Sequence, residues 1–485
     1  MHPLDLLITG VYVGVVLAIG FAVSRTIGDF RDFFVAGGRM TAPVLICTLV
    51  STYYGLDVLF GGSEVGYQEG LVGWFFYTRP YYLTIVLAAL LVAGRLRARA
   101  AVLTLPDVAA EAYGRWTQGV VAVASFFYAL PIMAMMGIGV LLDVLFGIPF
   151  AVGVLAGAVV SLAYTIMGGL LADAVTDTVQ FTLMCVTLGV ASVLVFRDFG
   201  GVDALRDALP PSYFDPRGTY PLPVLVVFGL GALSVLVEPA FYQRIVAARS
   251  HRAILVALAV GVVLWAAFDW IVTLLGMAAA ARGLEVEPRY ALLTVVLDAL
   301  PPGLEGLFVA GVVATAMSTI DSYLLISGAN LVYDLYRPWR RRPLADRDLL
   351  RLTRWGIVAA AAVSIAFALF FTSIVSAWVF MSSVLVAAAL VPVLAALWMK
   401  RPARLAGTAS STVGLVTLLV SYFLVTAYGA DDPEWGTRIW TFTVAGRPVA
   451  LWQEYGVLIA LPLSALAFVA GHFADRRRGP VEAGR

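Results

Sequence analysis

Long apolar runs separated by short polar stretches dominate the chain. Thirteen segments qualify as candidate spans: 4–24, 41–68, 71–94, 117–146, 150–165, 172–196, 222–244, 253–281, 305–333, 355–371, 374–397, 405–427 and 450–471. A bilayer crossing takes about 20 apolar residues as a helix, and backbone facing lipid must satisfy its own hydrogen bonds, so each run is expected to be helical. Barrel strands would alternate over about ten residues, and that pattern is not evident. Two runs are interrupted. The second reads TLVSTYYGLDVLFGGSEVGY, with Gly55, Gly61 and Gly62 in an apolar context. The seventh reads VLVVFGLGALSVLVEPAFYQR, with Gly229, Gly231 and then Glu238-Pro239. Broken helices heading two five-helix halves are the sequence pointer to an inverted-repeat secondary transporter. Glycines also simply permit close helix packing.

Composition sharpens the class. The 485 residues are 61% hydrophobic and 13% charged, where a soluble domain carries about 25% charged residues. The net charge of +1 says nothing about nucleic acid, because its distribution matters more than its sum; the lipid bilayer is the expected surrounding, and no nucleic-acid partner is expected. Cys47 and Cys185 both lie in apolar runs, so no disulfide framework is expected. The start, MHPLDLLITGVYVGVVLAIGF, has no basic segment before its apolar run and reads as a retained first span. With the N-terminus outside and the C-terminus cytoplasmic, 24 of the 32 Lys and Arg residues fall in inner loops and the tail, against seven in outer loops. That asymmetry follows the positive-inside rule and places a multi-pass chain in the cell (inner or plasma) membrane. The outer stretches 197–221, 282–304 and 428–449 are expected to be loops with short helices, with Trp435 to Trp440 as an interfacial belt.

Charged residues inside spans default to functional candidates: Asp57, Glu64, Arg79, Asp143, Asp177, Glu238, Asp269 and Asp321. In VATAMSTIDSYLL (313–325), Ser318, Asp321 and Ser322 fall at i, i+3 and i+4 on one helical face, with Thr315 one turn earlier and Thr319 on the border. Hydroxyl, carbonyl and carboxylate oxygens suit a hard cation. Back-bonding to the helix's own carbonyls covers any single hydroxyl but leaves Asp321 unexplained. In GGLLADAVTDTVQFTLM (168–184), Asp177 and Gln180 share a face after a Gly168-Gly169 inner turn. Arg244, Arg249 and Arg252 read as inner-loop cations, Asp143 as a group near an outer turn, and Asp269 as a bundle hydrogen bonder.

These motifs resemble the sodium:solute symporter family. GGLLADAVTDTVQ is similar to its signature, with Asp173 where the family usually has Val. FRDFFVAGGRMT (30–41), PAFYQRIVAARS (239–250) and ATAMSTIDSYLLISGANLVYDLYRP resemble further family segments in the expected order, over roughly residues 30 to 340. The resemblance implies an all-α polytopic membrane protein of about thirteen transmembrane helices, with a 5+5 inverted-repeat, leucine-transporter-like core and two discontinuous helices. It divides the chain into 1–40 (extra helix and first inner loop), 41–196 (first five-helix repeat), 197–221 (outer loop), 222–397 (second repeat) and 398–485 (two further helices and the tail). It also implies a principal Na+ site from Ser51, Tyr54, Thr315, Ser318 and Thr319, and a second cation site from Asp177, Asp321 and Ser322, where Asp321 replaces a hydroxyl. Neighbouring carboxylates push a pKa upward, so H+ is the alternative coupling ion at Asp321.

The solute is expected between the breaks, near Tyr53, Asp57, Tyr77, Arg79, Glu238 and Phe241. Arg79 either recognises a carboxylate or pairs with Asp57 or Glu64, while Asp57 and Glu238 equally invite an ammonium group, so a carboxylate or a zwitterion such as an amino acid is the solute considered. The expected activity is Na+-coupled symport of a small organic solute by alternating access, by a chain working as a monomer. A proton-coupled carrier of the same fold and a transporter-like sensor are the rivals. No kinase module follows residue 472, which argues against the sensor. With three histidines at ends or loops and no nucleophile–base arrangement, enzyme chemistry is not expected.

Overall fold

A computed structural model describes residues 2–23, 29–99, 101–371, 373–432 and 437–477. Arg25, Trp435 and the tail from residue 478, all used in the sequence reading, lie outside these residues. The apolar runs form α1 (Pro3–Val23), α2 in two halves (Ala42–Tyr53 and Leu56–Glu69), α3 (Gly73–Arg97), α4 (Arg115–Phe146), α5 (Phe150–Leu162), α6 (Gly169–Phe199), α7 (Leu222–Ala247), α8 (His251–Ala281), α9 (Leu304–Trp339), α10 (Asp346–Ala368), α11 (Ile374–Trp398), α12 (Arg404–Tyr428) and α13 (Gln453–Asp475). Among the described residues, ten helices are long and apolar enough to cross a membrane, and the bent pair of α2 makes an eleventh. The apolar stretch Pro3–Ile19 of α1 and all of α5 are shorter and fill the two remaining positions.

Burial separates inner from outer helices. The most apolar window of α9 is 89% buried inside the protein, whereas that of α13 is 28% buried. The polar face of 313–325 is accordingly buried inside the protein, with Thr315, Ser318, Thr319, Asp321 and Ser322 at most 6% exposed. α1 lays Tyr12 and Val16 against Ala310, Ala314 and Met317 of α9. The Asp5 carboxylate accepts from the Gly303 and Gly306 N–H groups at 2.6 and 2.8 Å, holding the α9 N-terminus, where a negative charge is favoured.

Both expected breaks exist, at positions that backbone chemistry selects. α2 bends by 51° between Tyr53 and Leu56, not at Gly61-Gly62. Those two glycines sit inside the second half, where a Cβ on Gly61 would stand 2.7 Å from the Tyr77 hydroxyl oxygen. At Gly55 a Cβ would meet Asp57 Oδ1 at 2.3 Å and Thr319 Oγ1 at 2.8 Å, so any larger residue would have to displace both side chains. In α7 the helix tightens to a 3-10 turn over Leu233–Val237 and becomes extended at Glu238, before Pro239 restarts it. Pro favours an extended residue before it and itself suits the first helical turn. Of the two glycines here, Gly231 serves packing against Trp378, whereas a Cβ at Gly229 would meet nothing within 4 Å.

α5 and α6 join without a loop. Gly169, at φ +55°, carries the kink where a turn was expected. Met40 and Ala248 form an isolated parallel bridge tying the segment before α2 to the segment after α7. The loops at 197–221 and 282–304 contain the short helices expected of them. The 428–449 stretch differs: it is a three-stranded antiparallel meander, β1 (Ala430–Asp432), β2 (Thr437–Val444) and β3 (Arg447–Trp452). Ala445 and Gly446 both take positive φ in its two-residue turn, the geometry that hairpin twist requires. Trp440 belongs to β2 and packs at a tilt against the rings of Tyr428 and Phe442.

α2 and α8 cross at backbone contact. A Cβ on Gly276 would lie 2.3 Å from the Ser63 carbonyl oxygen, and backbone cannot rotate away as a side chain can. Gly276→Ala is therefore expected to destabilise the fold by about 1–3 kcal/mol, an overpacking cost, read as a lowered melting temperature in detergent.

Candidate ion and solute site

The first half of α2 ends where the Tyr54 N–H donates to the Val50 carbonyl at 2.8 Å. The second half starts with the Val58 and Leu59 N–H groups both turned to the Gly55 carbonyl. The carbonyls of Ser51 to Tyr54 lie at this interruption, at a helix C-terminus whose partial charge is negative. α9 runs past it. Thr319 Oγ1 has two acceptors for its single proton, the Thr315 carbonyl at 3.1 Å and the Thr52 carbonyl at 3.3 Å. The Thr315 hydroxyl itself bonds back to Gly311 at 2.9 Å. Ser51 Oγ donates to Ser318 Oγ at 2.6 Å, and Ser318 Oγ donates in turn to Asp177 Oδ1. α2, α9 and α6 thus meet in one buried group of carbonyl, hydroxyl and carboxylate oxygens, a donor set that suits a hard cation.

The other members of the expected second set have different partners. Asp321 Oδ1 accepts from Thr165 at 2.6 Å, a hydroxyl of the α5–α6 join. Ser322 belongs to a network that the sequence reading missed. Its hydroxyl donates to Asp173 Oδ2 at 2.5 Å and accepts from Arg244 Nη2 at 2.6 Å. Because its proton goes to Asp173, the 3.0 Å bond to Thr52 Oγ1 has Thr52 as donor. A hydroxyl offers one donor and two acceptor positions, so Ser322 is saturated.

Arg244, read from sequence as an inner-loop cation, has no exposed side-chain surface. It pairs with Asp173 at 3.4 Å and also donates to Thr52 at 2.7 Å and to Gln243 Oε1 at 2.8 Å. Gln243 in turn donates to the Phe34 carbonyl at 2.7 Å. The signal available in the sequence was Asp173 itself, a carboxylate where an apolar residue was expected. Its partner 71 positions away had no sequence mark.

Beside the oxygen cluster is a cavity of about 80 Å³. Its lining includes Thr52, Tyr53, Asp57, Tyr77 and Thr319. Three other residues of the expected solute set stand elsewhere. Pro80 has no N–H to give the preceding turn, and α3 opens with a π-helical turn over Gly73–Thr78. That turn brings Tyr77 and Thr78 to the cavity and sends Arg79 to the exterior, where its guanidinium lies 4.8 Å from the Phe75 ring centroid. Among the described residues Arg79 forms no ion pair, with Asp57 and Glu64 included. Glu64 accepts from Ser373 at 2.8 Å. Glu238 caps the restarted half of α7 through the Phe241 N–H at 2.6 Å and accepts from Tyr323 at 3.1 Å. Phe241 backs the wall, edge-on to Tyr53 at 4.3 Å. Asp143 accepts from Tyr290 at 2.8 Å. Asp269, read as a bundle hydrogen bonder, does accept from the Tyr82 hydroxyl but also lines the cavity, as do Trp265 and Trp378.

Comparison with known proteins agrees with this architecture. The sodium:solute symporter family profile matches residues 33–414. The sodium/pantothenate symporter of Haemophilus influenzae is 26% identical, over 98% of this chain and 96% of that protein. The sodium/proline symporter of Escherichia coli is 25% identical, over 74% of this chain and 75% of its own length. A solved structure of a Na+-coupled sialic acid symporter in a substrate-bound outward-open state superposes with a TM-score of 0.77 at 16% identity, covering 99% of this chain, and establishes likeness of fold. With its broken helices, its oxygen cluster and a family match across most of its length, the chain belongs to the sodium:solute symporter family, as a multi-pass membrane symporter of small solutes whose coupling ion is Na+ and not as an enzyme.

Proposed function

We propose that Na+ binds between the interruption of α2 and the polar face of α9, held by carbonyls at Ser51 and Tyr54, the Thr315 carbonyl and the hydroxyls of Ser318 and Thr319, and that the solute occupies the adjoining cavity. One observation carries this reading: Thr52 and Thr319 lie at the oxygen cluster and also line the cavity. Ion and solute then share a wall, and each alters the free energy of binding the other, which coupling requires. The weak Thr319–Thr52 bond is the contact an arriving ion replaces, drawing α2 to α9 and favouring one side of the alternating-access cycle.

A second cation, Na+ or H+, would rest on Asp177 and Asp321 without Ser322, whose hydroxyl is fully committed to Asp173, Arg244 and Thr52. The fixed guanidinium of Arg244 already supplies positive charge to that corner. The excess of Lys and Arg in alternate loops supports an N-terminus outside and a cytoplasmic C-terminus, in the cell membrane. The residues proposed to hold the ion and the solute all come from one chain, and function as a monomer is part of this proposal.

Sodium titrated into the purified protein in potassium buffer is expected to raise the melting temperature saturably, by mass action on the folded state. Equal stabilisation by added potassium at matched ionic strength would reject the assignment.

A further inference from the structure

We propose that the cavity takes a solute carrying an ammonium group, either a protonated amine or a quaternary ammonium. This inference rests on the solute lying in that cavity. Asp57 and Asp269 are its two charged lining residues, and no Lys, Arg or His lines it among the described residues. Neither carboxylate belongs to an ion pair among the described residues. Asp269 is 5% exposed, its Oδ2 accepts from Tyr82, and its Oδ1 has no partner within hydrogen-bonding distance. A carboxylate at membrane depth is costly to leave uncompensated, and a cationic solute supplies the missing charge.

The remaining walls fit the same chemistry. Tyr53, Tyr81, Tyr128, Trp265 and Trp378 present aromatic rings to the cavity, and aromatic faces attract ammonium cations through the ring quadrupole. A carboxylate group, by contrast, finds no cationic side chain here, because the intramembrane arginine nearest in sequence, Arg79, is turned to the exterior.

The two carboxylates divide the work. Asp57 Oδ1 and Thr319 Oγ1 both crowd the space beside Gly55, which places Asp57 at the border with the ion cluster. Asp269, on α8, makes none of the cluster's hydrogen bonds and is the residue that isolates the solute contribution.

The test uses the full-length protein in sodium buffer with five probes: choline, phenethylamine and proline, which carry an ammonium group, and 3,3-dimethylbutan-1-ol and pantothenate, which do not. At least one ammonium probe is expected to give a saturable rise in melting temperature, with little or none from the neutral isostere of choline or from pantothenate. Asp269→Asn is expected to weaken that binding at least tenfold while retaining the stabilisation by sodium alone, which shows that the variant is folded. Equal or tighter binding of either probe lacking an ammonium group, or no saturable shift from any ammonium probe, overturns the proposal. Loss of the sodium-only shift in the unaltered protein counts against the ion site instead, so the two failures are distinguishable.

Discussion

Alanine at both Ser318 and Thr319 is expected to raise the sodium concentration for half-maximal stabilisation, and for half-maximal uptake once a solute is in hand, by one to two orders of magnitude. Ser318 stands between Ser51 and Asp177, and Thr319 reaches Thr52 and Thr315. The double substitution therefore removes two oxygens from the cluster and also releases Asp177. Loss of even an outer partner of a metal site commonly costs about 10–100-fold in affinity, which sets the floor. The helix itself should persist, because alanine is the best helix former and α9 is held by packing along its length. Ser327→Ala is the matched control, since among the described residues that hydroxyl bonds only within its own helix, to Tyr323 and Leu324. If the double variant responds to sodium like the unaltered protein, the cation lies elsewhere.

Arg244→Met should be among the most destabilising single changes in the molecule. Removing one partner of a buried ion pair typically costs about 3–5 kcal/mol, because the other charge stays buried and uncompensated. Here the stranded group is Asp173, left with Ser322 as its hydrogen-bonding partner. Thr52 and Ser322 also lose their strongest donor, so the hold of α7 on α2 and α9 weakens. Combining Arg244→Met with Asp173→Val should return most of the loss, since well-packed apolar replacements of buried pairs are often neutral or stabilising. A thermal-unfolding cycle over the four proteins measures the coupling. A single variant as stable as the parent would mean that the pair contributes nothing to the fold. Once freed, the Ser322 hydroxyl can accept from or coordinate a new partner, so the double variant also asks whether this network restricts cation binding at Asp177 and Asp321.

Much of this architecture could be read along the chain. The break in α7 was placed correctly because Glu238-Pro239 is a local signal, a residue forced extended before a proline. The break in α2 was found but assigned partly to Gly61-Gly62. Glycine marks either an interruption or a close helix crossing, and only the positions of Tyr77 and Val272 distinguish the two. The meander at 430–452 went unread, although Thr437–Val444 is rich in β-branched and aromatic residues and is followed by Ala445-Gly446. Its strands are short, and the apolar character of the following span masked their pattern.

The all-α membrane class, the presence of broken spans and the polar face of α9 were determined by the sequence alone. Each depends on hydrophobic periodicity or on backbone preference over a few residues. Partnerships were decided by the tertiary structure. Arg244 becomes the centre of a buried network instead of a loop cation, Asp269 a cavity wall, and Arg79 an exterior stacking group. In each case the outcome depends on the rotation of one packed helix against another. A small turn of α3, α7 or α8 would exchange cavity-facing and outward-facing residues without changing the apolar pattern that first revealed them.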